Sequence, residues 1–320
     1  MTRRRPATSP PATRRRSKNR LLYSRVVSTP GTRQARVPVV DTPMTPRPAT
    51  SPSEQPPLTE RASSILACVV RQYIDSGEPV SSLWLARHGD LGISSASVRT
   101  VMARLEDDGY IHQPHTSAGR VPTDRGYRYF VNCLLQRRRR PKAPPAVEAR
   151  LRRARTVSGV LSSVSHELSA ASHHLAFACM PRRTALSVAD PLFIEGSWFL
   201  AEEVSDGSNR VPLDILRTLL AMIERKDLLV RLLDEYLDEP GLTVVIGTEN
   251  RTPEMQPFSL VASTYFDGEQ TGSIGVIGPR RMRYGRAIST VDQVSAAVSR
   301  VLVAQAAASH HDRRAEISAS

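Results

Sequence analysis

Ser95, Ser97, Arg99, Thr100 and Arg104 fall within SSASVRTVMARLEDDGY, and none of the five carries a bulky apolar group. Short hydroxyls and guanidiniums gathered in this way suit nucleic acid, because small polar groups reach base edges while cations meet phosphates. The chemistry requires a helix, since helical winding brings positions three and four apart onto a shared side. The remaining residues supply one: Val98, Val101, Met102 and Leu105 recur at helical spacing and form an apolar stripe. Ser94 can cap the start by accepting from a free backbone N–H, and Gly109 can end the helix in a left-handed conformation. A helix with a small, cationic outer face fits a major groove.

The neighbouring stretches must hold that helix. Downstream, residues 110–113 and 120–122 can pair across His115-Thr116-Ser117-Ala118-Gly119, with Gly119 permitting the turn. Upstream, Thr59 caps a helix whose inner face carries Ile65, Leu66, Val69, Tyr73 and Ile74, with Gly77 as its stop. Pro79 keeps the chain from continuing helically. Ser81 or Ser82 then starts a short helix through Leu83, Leu85 and Ala86, and residues 89–92 form a turn. Helix, helix, turn, helix, hairpin is the order of a winged helix-turn-helix. The competing reading of the same residues is a solvated amphipathic helix followed by an ordinary hairpin. Cys68 reads as a small core residue on the first helix.

The net charge of +13 is unevenly spread. Residues 1–57 carry +10, residues 58–140 carry +4, and residues 141–320 carry −1. A basic tail and head on a neutral body suit a polyanion-binding module joined to a regulatory or oligomerising one. Three scattered cysteines, Cys68, Cys133 and Cys179, are too few for a disulfide framework and imply a reducing cytoplasm. There is no run of about 18 apolar residues and no secretory h-region, so neither a membrane span nor a secretory signal is expected.

Along the rest of the chain, residues 1–57 are rich in Pro, Thr, Ser and Arg and read as a disordered basic tail. From Thr123 a helix runs through Tyr127, Phe130 and Leu135 to the run of arginines at 137–140. PKAPP then marks a linker at 141–149. A long helix is expected from about Ala146 to Phe177, with Leu151, Val157, Leu161, Val164, Leu168, Ala171 and Leu175 on one stripe. His166 and His173 lie two turns apart on it, poorly placed to share a metal ion. LFIEGSWFL reads as a strand, 213–237 as a helix, LTVVIG as a buried strand, and 258–265 and 273–277 as two more around a turn at Asp267-Gly268. Residues 289–307 close as a helix, with a frayed end at 309–320. The fold class is α+β: a winged helix over 58–140 and a helix-flanked antiparallel sheet over 150–308.

Two long motifs carry a family resemblance. LTERASSILACVVRQYIDSGEPVSS with SSASVRTVMARLEDDGYIHQPHTSAGRVPTDRGYRYFV, and distally VVIGTENRTPEMQPFSLVASTYFDGEQTGSIGVIGPRRMRYGRAI, resemble the HrcA heat-inducible transcription repressors over residues 58–304, with a gap. The resemblance implies a GAF-like second domain, a homodimer, and binding to an inverted-repeat double-stranded DNA operator, CIRCE, upstream of chaperone operons such as groE and dnaK. It implies the chaperonin GroEL as a partner, no enzyme activity and no cofactor. Carried over by position, Ser95, Ser97, Arg99 and Thr100 lie on the recognition helix. His115, Thr116, Ser117 and Arg120 form the wing, and Tyr127 and Arg128 support it or reach the DNA backbone. Thr100 stands where the family usually has Asn, and Leu83 where it often has Arg. The family's dimerising insert is largely missing between residues 183 and 192.

A second functional class remains open from the residues: a ligand- or partner-sensing module whose basic head binds DNA without specificity. An enzyme finds little support, with no phosphate loop opening a helix, no nucleophile elbow and no HExxH. Asp107-Asp108 and Asp234-Glu235 point apart on a helix and make poor acid–base pairs.

Overall fold

Thr59 accepts from the Ala62 N–H at 3.3 Å and starts α1, Glu60–Ser76, which Gly77 ends with a φ of 75°. In a computed structural model of the chain, the described residues are 58–116, 118–138, 144–180, 192–199, 213–226, 229–230, 233, 236–237 and 240–319. The chain parts into Met1–Met44 and Thr45–Ser320, and all described residues lie in the second unit. The tail read at residues 1–57 lies outside them.

Short elements follow α1. These are α2, Ser82–His88; α3, Ser95–Asp107; β1, Ile111–His112; β2, Val121–Pro122; and α4, Asp124–Gln136. Each helix has the hydroxyl cap that its sequence offers: Ser81 accepts from Trp84, Ser94 from Ser97 and Thr123 from Gly126. Ile65, Leu66 and Val69 of α1, Leu85 of α2, Val98, Met102 and Leu105 of α3 and Phe130 of α4 are buried in one core.

Then come α5, Pro145–Leu151; α6, Val157–Ser172; β3, Leu175–Cys179; β4, Leu192–Glu195; α7, Leu213–Glu224; β5, Leu242–Ile246; β6, Phe258–Phe266; β7, Thr271–Pro279; and α8, Tyr284–Ala319. The five strands make an antiparallel sheet in the order β4-β3-β7-β6-β5. Alternate residues serve opposite faces. Val244, Ile246, Val261 and Val276 join the core shared with α6, α8 and the α1–α4 region, while Val245, Leu260, Ala262 and Phe177 pack with Leu229 and Leu233. Burial on both faces explains why LTVVI carries no polar-out alternation. The fold is α+β.

Several sequence expectations change. The helix expected over 146–177 is two helices and a strand, because residues 152–156 interrupt it and His173, at φ 60°, stops α6 before β3. Leu175 and Phe177 match a helical stripe by spacing but lie in β3. The strand expected through LFIEGSWFL ends at Glu195, where Gly196 at φ 87° turns the chain into a helical turn at 197–199. Helix α7 stops at Glu224 rather than continuing unbroken. Helix α8 begins earlier than 289 and continues to Ala319, past the expected frayed end, while α5 occupies part of the stretch read as linker. By length and composition, 284–308 could cross a bilayer, but half of its 18-residue apolar window is buried in the fold, where Ile288, Val291, Val294 and Val298 cover the sheet.

Candidate nucleic-acid interface

Helix α3 divides as its sequence divides. Val98, Met102 and Leu105 are buried and Val101 is half-buried, while Ser97, Arg99, Thr100 and Arg104 are exposed and Ser95 is half-buried. The Ser97 N–H is taken up by the Ser94 cap at 3.3 Å. The Thr100 hydroxyl donates back to the Ala96 carbonyl at 3.2 Å, which commits its proton to the helix itself. Among the described residues, Arg99 and Arg104 have no carboxylate partner, so both guanidiniums are available to an anion.

The hairpin beside α3 is short and tightly stitched. β1 pairs with β2 in the register Ile111↔Pro122 and His112↔Val121. The Gln113 amide donates to the Thr116 and Ala118 carbonyls at 2.9 and 3.0 Å, which shapes the tip. His115 and Thr116 are exposed there, and Ser117 lies outside the described residues. Arg120 exchanges two backbone hydrogen bonds with Val80, at 2.9 and 2.8 Å, so the returning arm is also joined to the segment between α1 and α2. Gly119 serves that junction. A Cβ there would lie 2.5 Å from the Val80 carbonyl, so close backbone approach, rather than turn conformation, demands glycine.

Glu106 is a residue that sequence reasoning missed. Its carboxylate accepts from Arg120 Nε at 2.8 Å and from the Gln113 N–H at 3.0 Å, joining α3 to both arms of the hairpin. A carboxylate fourteen positions before its arginine has no periodic signature. Arg120 is therefore at the expected place but already engaged.

Arg128 requires a correction. Its expected role was to support the wing or reach the DNA backbone, but the guanidinium donates to Glu249 at 2.6 Å and to the Val244 carbonyl at 2.7 Å. The partner is 121 residues away in sequence, on the turn after β5. Tyr127 is buried against Tyr284, with ring centroids 5.7 Å apart, and burial pushes its hydroxyl pKa up. Cys68 packs against the core as expected but is half-buried rather than fully enclosed. It lines a cavity of about 270 Å³ between α1 and α4 with Cys133, Arg71, Tyr129 and Phe130, and burial pushes its thiol pKa up. Among the described residues no three of His, Cys, Asp and Glu cluster as metal ligands. His166 is exposed on α6; His174 is buried at the start of β3, where loss of solvation lowers its pKa to about 4.

Comparison with known proteins gives this geometry a context. Residues 149–288 match the family model described as HrcA protein C terminal domain. A protein of Xanthomonas campestris pv. campestris named heat-inducible transcription repressor HrcA is 30% identical, over 75% of this chain and 94% of that one. Its namesake in Desulforamulus reducens is 28% identical over 77% of this chain and 97% of the relative. That second alignment runs over 344 positions while using 77% of 320 residues, so roughly a hundred of its positions have no counterpart here. A crystal structure at 2.2 Å of a protein described as hypothetical shares the fold, with a TM-score of 0.66 at 20% identity, over 78% of this chain and all of the other.

Proposed function

The chain belongs to the HrcA family of heat-inducible transcription repressors, and from that premise we propose that it represses class I heat-shock (chaperone) operons as a homodimer bound to their inverted-repeat operator, CIRCE. Residues 58–140 act as a winged-helix DNA-binding head, 150–308 as a GAF-like regulatory and dimerising body, and GroEL as the partner that keeps the repressor competent. The observation that carries the reading is the exposed pair Arg99 and Arg104 on α3, without a carboxylate partner among the described residues, beside a hairpin fastened to that helix by Glu106. Ser95, Ser97, Arg99 and Thr100 meet base edges and nearby phosphates. Arg104, His115, Thr116 and Ser117 meet the flanking backbone. Arg120 orders the wing through Glu106, and Arg128 leaves the DNA-contacting set. With only three scattered cysteines in the sequence, a reducing cytoplasm is the compartment that suits this role.

The test is a gel shift with Arg99→Ala: the account expects weakened operator binding, and normal binding overturns the assignment of α3. A second reading keeps the fold but makes the head non-specific and the body a ligand- or partner-sensing module. The Thr100 hydroxyl, turned back onto the helix where the family resemblance leads one to expect an adenine-reading Asn, favours it. Equal affinity for operator and scrambled duplex would support that second reading.

A further inference from the structure

The two motifs that carry the family resemblance, PHTSAGRVPTDRGYR and IGPRRMRYGR, meet in space. Asp124 and Arg128 of the first sit on α4, directly after the hairpin. Asp124 accepts from the Thr248 N–H at 2.9 Å and from Arg280 at 3.2 Å. Arg128 is held by Glu249, which also accepts from the Ile246 N–H at 2.8 Å and so is itself fixed on the turn after β5. The second motif answers from the body side. Arg281 donates to the Tyr73 carbonyl of α1 at 3.2 Å and lies over the Tyr73 ring, and Arg283 pairs with Asp75 at 3.2 Å. Between these polar contacts Tyr284 packs against Tyr127, with its hydroxyl bonded to Ser259 at 2.8 Å and to the Arg280 carbonyl at 2.7 Å.

The body has been shaped for this contact. Gly247, at φ 53°, leaves room for the Asp124 carboxylate, which any Cβ at that position would overlap. The Arg128–Glu249 pair is about four-fifths removed from solvent, so it resists screening better than a surface pair. Bonds on α1 and α4, on either side of α3, leave the head little freedom to rotate against the sheet.

We propose that Asp124, Arg128, Gly247, Glu249 and Arg280 are positioning residues, which fix the angle of the head on the body and thereby the distance between the two α3 helices of a dimer. This inference rests on the operator-binding reading above. Dimeric readers need their recognition helices about one helical turn apart, and a head free to swivel would accept several separations. Neither Gly247 nor Glu249 belongs to the head, so altering them should change which operator spacing is preferred without touching the residues that meet DNA.

The experiment uses the full chain and fluorescence anisotropy at one fixed salt, with four labelled duplexes: one half of the inverted repeat, both halves, both halves moved apart by about five base pairs (half a turn), and a scrambled duplex. The wild type should prefer the natural spacing over the shifted one by about tenfold or more. Glu249→Ala and Gly247→Ala should bind the single half within about twofold of the wild type yet lose most of that spacing preference, and Arg128→Lys should keep part of it. Wild-type-like spacing preference in Glu249→Ala and Gly247→Ala overturns the inference while leaving operator binding intact. So does a wild type that prefers operator to scrambled duplex but ignores spacing. A variant that loses the single half as well has a damaged head, which also contradicts a positioning role. A wild type that cannot tell operator from scrambled duplex removes the operator-binding reading, and the inference with it.

Discussion

Glu106 and Arg120 form the tie between the candidate recognition helix and its hairpin, with Arg120 Nε 2.8 Å from a Glu106 oxygen that neither local spacing nor periodicity announces. The same carboxylate takes the Gln113 N–H, so one side chain holds both arms of the finger. Glu106→Ala removes an ion pair and a charge-assisted hydrogen bond from a partly exposed site. It should destabilise the protein by about 1–2 kcal/mol, checked by urea unfolding. A variant as stable as the wild type would show that the hairpin is held by its backbone bonds alone.

Arg99 and Arg104 differ from Arg120 because no carboxylate neutralises them among the described residues. Arg99→Ala should weaken operator binding by about 1–3 kcal/mol, and Arg104→Ala should flatten the slope of log affinity against log salt by about one. Arg120→Ala should flatten it by less, since its charge is already opposed by Glu106. Titrations at four salt concentrations decide this, and equal slopes for Arg104→Ala and the wild type would remove Arg104 from the phosphate-facing set.

Gly119→Ala tests the junction at Val80. The added methyl would stand 2.5 Å from the Val80 carbonyl, so the paired bonds between Val80 and Arg120 must stretch or break. A loss of about 1–3 kcal/mol is expected, read as a lower urea midpoint. An unchanged midpoint would mean that the hairpin arm can shift without cost.

His174 predicts a pH dependence of stability. Loss of solvation, then the neighbouring His173 and Arg286 charges, lowers its pKa to about 4 from the usual 6.5, so it is neutral in the fold. The unfolded chain takes up a proton near 6.5 and the folded chain only near 4. The contribution of His174 to stability is therefore complete above about 6.5 and falls away as the pH drops toward 4. By linkage the loss approaches about 3 kcal/mol. Urea midpoints measured from pH 7 to pH 4.5 should fall less steeply in His174→Asn than in the wild type; parallel curves would contradict the assignment.

Legibility in the sequence followed the range of the interactions. The caps Thr59 and Ser94, the stop at Gly77 and the stripe Val98-Met102-Leu105 act within a few residues, and each is where its spacing predicts. The run from Ala146 to Phe177 misled at its far end because alanine, leucine and phenylalanine satisfy a helical stripe and a buried strand equally. The αL residue His173 separates α6 from β3, and nothing in its side chain requires that conformation. Arg128 was misplaced for a different reason. An exposed-looking arginine in a basic motif reads as a phosphate contact until the fold brings Glu249 to it from 121 residues away. On α3 itself, the division between buried and exposed positions was legible except at Ser95 and Val101, which are both half-buried.

The most direct measurement titrates the full chain against operator duplex and a scrambled duplex of equal length at one physiological salt concentration. A sequence-reading head on a dimeric body predicts a preference on the order of a thousandfold or more for the operator. Indistinguishable affinities for the two duplexes would contradict it.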